Sequence, residues 1–216
     1  MSGQATPRAI LFDCLGTLLR LEPPAPRLAA SLGVGLAEAD RAMRAEIAFY
    51  RAHMHEASDA ARLAGLRRRC AGLVADSLGV PCDPATLLAA LTFTPYDDVL
   101  PALRALRRSG VRLLVVSNWD VSLHEVLVRA GLAPLLDGAV SSAEAGSAKP
   151  DPAIVRRGLA LAGAEPADAW LVGDTPEADV AGARAAGVLP VLIDRDDTLG
   201  AHAGVRRIRA LTELAS

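Results

Sequence analysis

From Val99 onward one pattern repeats: a short apolar run bounded by turn residues, then an amphipathic segment long enough for a helix. The periodicity predicts helix 98–109, strand 111–116, helix 121–130, a short strand near 139–141, helix 152–163, strand 169–173, helix 177–186 and strand 188–193. Alternation of this kind requires right-handed crossovers and a parallel sheet with helices on both faces. Residues 9–13 add another apolar strand, closed by a Gly16-Thr17 turn. Between that strand and Val99 the pattern changes. From about 27 to 91 every periodic segment is helical: 36–56, 59–79 after a Ser58 N-cap, and a short helix after Asp83-Pro84.

The expected fold is therefore α/β: a doubly wound parallel-sheet core, residues 1–20 and 95–216, interrupted after its first strand by an all-helical cap, residues 21–94. Prolines mark both connections, near 19–26 and 92–97, which read as hinges. The stretch Leu21-Glu22-Pro23-Pro24-Ala25-Pro26 is expected neither to continue a helix nor to sit inside a sheet, because proline removes donors and fixes φ. In the tail, Val205 to Leu211 reads as an edge strand and a closing turn.

Composition excludes several function classes. A net charge of −2 offers no electrostatic reason to expect nucleic acid or an acidic membrane as partner, and the run Arg67-Arg68-Arg69 is too short to change that. No segment approaches the roughly 20 apolar residues of a membrane-spanning helix. The start, MSGQATPRAILFD, has no separate hydrophobic region ahead of the first strand, so no secretory signal is expected. Cys14, Cys70 and Cys82 are odd in number and lack CxxC spacing, which argues against a disulfide framework or a zinc site. The expectation is a cytoplasmic protein, monomer or homodimer.

The chemistry-bearing residues fall where strands end. Ligands of open α/β sheets bind just beyond the carboxyl ends of the strands. Asp13 follows AILF, Ser117-Asn118 follow RLLVV, Asp174 and Asp179 follow WLVG, and Lys149 follows a weaker run. A carboxylate at Asp13 can attack phosphorus and divide one hard displacement into two easier ones. Asp174 and Asp179 supply the carboxylates that Mg²⁺ prefers, placed to cancel repulsion between nucleophile and phosphate. Lys149 is the sole lysine in the chain, and a compact ammonium is a good point-charge partner for phosphate oxygens. Each residue also has a plain structural use, as a cap, a turn or a solvated charge. Together and in this order they point to phosphoryl transfer.

With these motifs the chain resembles the haloacid dehalogenase superfamily over nearly its full length. The run from Ser117-Asn118-Trp119-Asp120 through Lys149-Pro150-Asp151-Pro152 to Gly173-Asp174 resembles its subfamily IA. That resemblance implies a Rossmann-like core and a hydrolase, most simply a Mg²⁺-dependent phosphatase of a small phosphorylated metabolite. It makes Asp13 the nucleophile, Ser117 and Lys149 catalytic partners, and Asp13, the Leu15 carbonyl, Asp174 and Asp179 the metal ligands. Thr17, Asn118, His53 and Tyr50 are the expected substrate-binding residues.

One position departs from the family pattern. Leu15 stands where phosphatases of the superfamily carry a second Asp, the general acid and base. Losing such a group typically costs about 10²–10⁴-fold in rate. Three explanations follow: a leaving group that needs no proton, a substitute acid in the cap such as His53 or Tyr50, or a protein that mainly binds. Tyr50 shares a helical stripe with Met43, Ile47 and Met54, so packing is the simpler reading for its ring. Carbon–halogen hydrolysis also proceeds without that Asp, yet the retained Asp174 and Asp179 favour a metal-bound phosphoryl substrate.

Overall fold

A computed structural model describes residues 6–200 and 202–215. The first five residues, on which the reading of the N-terminal start partly rests, lie outside the described residues. Six strands form one parallel sheet in the order β5-β4-β1-β6-β7-β8. They are β1 (Ala9–Phe12), β4 (Arg112–Ser117), β5 (Gly138–Ser141), β6 (Ala169–Gly173), β7 (Leu189–Ile193) and β8 (Arg206–Ile208). Alternate residues of each strand face opposite sides, and both sides are dry. Ile10, Phe12, Leu113 and Val115 join one core with α5 (Val99–Arg108) and α6 (Leu123–Arg129). Leu11, Leu114, Val116 and Leu171 join the other with α8 (Pro152–Ala162) and α9 (Ala181–Ala185). β1 is central, and the chain runs outward from it in both directions, so the ends of β1, β4 and β6 open one crevice.

The helical block contains α1 (Ala25–Leu32), α2 (Leu36–His53), α3 (Ala60–Leu78) and α4 (Pro84–Ala90), packed around their own core that includes Leu28, Met43, Leu66 and Val74. Several local expectations are corrected. Asp59, not Ser58, caps α3, its carboxylate accepting from the Arg62 N–H. The helix expected over 36–56 ends at His53 and tightens into a 3₁₀ turn, Met54–Glu56. The proline-rich connection starts α1: Pro26 falls in its first turn, where a missing N–H costs nothing. Leu21, expected outside any sheet, ends a strand. The two connections pair with each other as an antiparallel ribbon, β2 (Leu19–Leu21) with β3 (Phe93–Pro95). Three residues a side are too few to carry a periodic signal.

α8 crosses the sheet closely at Gly158, where an added Cβ would lie 2.5 Å from Val116 Cγ2 and 3.4 Å from Leu11 Cδ2. Valine is stiff and this one is fully buried. Gly158→Ala should therefore destabilise the fold by up to about 2 kcal/mol, as overpacking (about 1–3) exceeds the helix-propensity gain of about 1. Urea unfolding measures it; a stabilised Gly158→Ala variant would show that α8 can lift off the sheet without cost.

Candidate active site

Asp13 leaves β1 with its N–H still bonded to the Val172 carbonyl at 2.8 Å, so the first residue past the strand is held by the sheet. Ser117 closes β4, and its hydroxyl donates to Asp13 Oδ1 at 2.9 Å. Lys149 donates from Nζ to the same Oδ1 and to Asp179 Oδ1, both at 2.6 Å. The lysine does not directly end a strand. A short helix, α7 (Ser142–Ala145), separates it from β5. Asn118 holds its loop instead, donating to the Lys149 carbonyl at 2.9 Å and accepting from the Lys149 N–H at 2.8 Å.

Asp174 follows β6, and Asp179 sits in a π-helical turn, Pro176–Val180, where a regular helix start was expected. Such turns insert an extra residue and often mark functional positions. Here the turn points the Asp179 carboxylate back at β6, where it accepts from the Thr175 N–H at 2.9 Å. Its carboxylate occupies the space a side chain at Gly173 would need. Gly16 plays the same part for Asp174, at φ +91°, which L side chains rarely adopt.

Oxygens of Asp13, Asp174 and Asp179 lie within 4.8 Å of one another. Burial raises Asp13, with Lys149 opposing and Asp179 and Asp174 adding to it, to about 6. Burial and the Asp179 charge also raise Asp174. For Lys149 burial alone would lower the ammonium, but the Asp13 and Asp179 carboxylates outweigh it and hold the proton firmly. One ammonium thus faces three crowded carboxyls. That donor set fits a small hard divalent cation, which favours carboxylate oxygens.

The loop after β1 is clamped from behind. Arg195, on the segment after β7, donates to the Thr17 carbonyl at 2.7 Å and to Asp98 Oδ1 at 2.9 Å. Its guanidinium lies 3.8 Å from the centroid of the Tyr96 ring. Sequence reasoning passed over Arg195, although its place beyond a strand end was the available signal.

Core and cap enclose a cavity of about 820 Å³. Leu15 lines it and brings no acidic group to the crevice. Tyr50 lines it from α2, and its hydroxyl donates to Asp120 Oδ2 at 2.9 Å. Two expected residues are absent from the lining. Thr17 is fully buried behind the loop, because the Leu18 and Leu19 N–H groups both fold back to the Cys14 carbonyl. The His53 ring stacks on Phe49 with centroids 4.1 Å apart, its Nδ1 2.7 Å from the Phe49 carbonyl oxygen. Asp120 and Glu46, neither singled out as a site residue from sequence, do line the cavity.

A family model described as haloacid dehalogenase-like hydrolase matches residues 7–187. The chain belongs to that family. Within it, the chain is 42% identical over 101 residues to a phosphoserine phosphatase of Thermus thermophilus, a match covering 46% of this chain and 41% of that protein. The chain thus spans less than half the length of that relative. It is 32% identical to a phosphoglycolate phosphatase of Rhodospirillum rubrum, covering 87% of this chain and 79% of the relative. Among solved structures it is similar to a HAD phosphatase from Thermococcus onnurineus, with TM-score 0.69, 26% identity and coverage of 96% and 95%. A dehalogenase solved with an intermediate complex superposes at TM-score 0.73 with 22% identity, covering 97% and 96%, and shares the fold.

Removing the lysine isolates the mechanics of this family member's site. Lys149→Ala leaves two carboxylates without their buried counter-charge, which typically costs about 3–5 kcal/mol. The loss should be largest near pH 7 and shrink below the Asp13 value of about 6, where that carboxyl takes up a proton. Chemical denaturation at pH 7 and 5 reads both, and an equal loss at the two pH values would separate Lys149 from Asp13 energetically.

Proposed function

We propose that the chain is a Mg²⁺-dependent phosphatase of a small phosphorylated metabolite, working through an aspartyl-phosphate on Asp13. The observation that carries this reading is the division of labour at that carboxyl. Its Oδ1 receives both Ser117 and Lys149, which leaves Oδ2 free to form the bond to phosphorus. The P–O bond to the leaving group breaks as Oδ2–P forms, and the electron pair departs with the leaving oxygen. Water then cleaves the acyl phosphate, returning the Asp13 carboxylate and releasing phosphate. Lys149 keeps its proton throughout and serves as a fixed positive charge for the nucleophile and the phosphoryl oxygens. Asp13, Asp174, Asp179 and the Leu15 carbonyl would hold Mg²⁺, which supplies charge neutralisation between the carboxylate and the phosphate when bound.

The core residues 1–20 and 95–216 carry this chemistry in our reading, and the cap 21–94 closes over it. The phosphatase names of the relatives support the substrate class. Leu15 contributes neither a proton donor nor a base. Rate should therefore depend steeply on leaving-group pKa: aryl and acyl phosphates should turn over far faster than alkyl phosphates. Carbon–halogen hydrolysis is the second reading, favoured only by Leu15.

Three outcomes are expected. Asp13→Asn should reduce phosphate release below a few per cent of wild type while the folded state persists by circular dichroism. Substantial residual turnover would exclude the covalent route. Saturating Mg²⁺ should raise the melting temperature of the wild type, as binding to the native state does, and Asp174→Asn should abolish that rise. A melting curve indifferent to Mg²⁺, with halide released from 2-haloacids, would transfer the site to the second reading. Leu15→Asp should raise alkyl-phosphate turnover by about 10-fold or more, within what a positioned acid supplies. An unchanged rate would show that protonation of the leaving group does not limit this site.

A further inference from the structure

The chain is poor in aromatic residues, with two tryptophans, two tyrosines and three phenylalanines in 216 residues. Four of them, Tyr50, Phe93, Tyr96 and Trp119, line the one cavity between core and cap. Charge does not decide what this cavity takes. Five carboxyls and five cations, four arginines and Lys149, border it, so neither sign is favoured in the part of a ligand beyond its phosphate. Its rings set it apart.

Three of those rings are anchored to the segments that carry the nucleophile and its partner. Trp119 lies two positions past Ser117, whose hydroxyl reaches Asp13. One hydroxyl holds the Trp119 backbone on both sides: Ser142 Oγ accepts from its N–H and donates to its carbonyl, each at 3.1 Å. Phe93 meets the Trp119 ring edge to face, with centroids 5.2 Å apart and planes at 61°. Tyr96 is tied to the loop after β1, its N–H donating to the Leu18 carbonyl at 3.2 Å. Arg195 stacks on the Tyr96 ring from the core. Phe93, Tyr96 and Leu15 are partly buried and pack against the same core cluster as Trp119. These rings are fixed before any ligand arrives, and each still borders the cavity.

We infer that Phe93, Tyr96 and Trp119 are specificity-determining residues that seat an aromatic ring of the leaving group, so that the preferred substrates are aryl phosphate monoesters. With the phosphate at Asp13, the ring would rest against these three side chains and Leu15. The phenolate departs with the electron pair of the broken P–O bond and takes up a proton from water afterwards, which agrees with an apolar residue at Leu15. The inference rests on the phosphatase reading for its phosphate end. Its own content is recognition of the ring, apart from the acidity of the leaving group.

Phosphonates test binding apart from turnover, because their P–C link leaves no ester oxygen to expel. Isothermal titration in the presence of Mg²⁺ would compare benzylphosphonate with cyclohexylmethylphosphonate at a pH where both are dianions. The saturated ring has at least as much apolar surface, so burial of area alone gives benzyl no advantage. The wild type should bind benzylphosphonate about fivefold tighter, a difference of about 1 kcal/mol and within what ring–ring contact adds to burial. In the double variant Phe93→Leu with Tyr96→Leu the two should agree within about twofold, whereas Tyr96→Phe should keep the preference. Equal affinities in the wild type, or tighter binding of the saturated ring, would overturn the inference whether or not the leucine variant folds. So would a preference that survives the double variant, or one lost in Tyr96→Phe. Turnover separates the ring from its acidity. Phenyl and hexafluoroisopropyl phosphates have leaving groups of similar acidity, and the phenyl ester should show kcat/KM at least about fivefold higher. Equal kcat/KM would sink the ring seat alone. Ring-selective binding with no ester hydrolysed would sink the phosphatase reading alone.

Discussion

The geometry of the crevice depends on one buried ammonium. Lys149 is the chain's sole lysine, and its side chain is 1% exposed between Asp13 and Asp179. Without a counter-charge the three carboxyls Asp13, Asp174 and Asp179 could not stay ionised so close together out of water. An ammonium of this kind also costs much to bury, and the two 2.6 Å contacts offset that cost. The Asn118–Lys149 backbone pair matters for the same reason. It fixes where the lysine begins, so its reach to Oδ1 leaves the other Asp13 oxygen unencumbered.

Backbone geometry then does what side chains cannot. Gly16 and Gly173 let two carboxylates approach the main chain so closely that any Cβ would displace them. The Arg195 fork takes up the Thr17 carbonyl that this tight turn turns away from the site. Arg195 also meets Asp98 and the Tyr96 ring, so the loop after β1, the second cap connection and the segment after β7 are tied together. A lysine in its place would hold the charge but not the planar fork and the stacked contact.

Tyr50 satisfies Asp120 across the boundary between cap and core, joining them near the crevice.

The sheet was legible because its strands are short apolar runs bounded by turns, and the catalytic-looking residues were legible because they sit where those runs end. The parallel core with an inserted helical block follows from that pattern alone. Sequence periodicity describes one element at a time. It cannot show that two three-residue segments, 72 positions apart at Leu21 and Phe93, would pair, nor that Lys149 would reach the site from a loop beyond α7 rather than from a strand end. It put Thr17 at the crevice because it follows Asp13 closely, and His53 because it shares a helix face with Tyr50, whereas a turn closed on the Cys14 carbonyl and a ring stacked on Phe49 send them elsewhere.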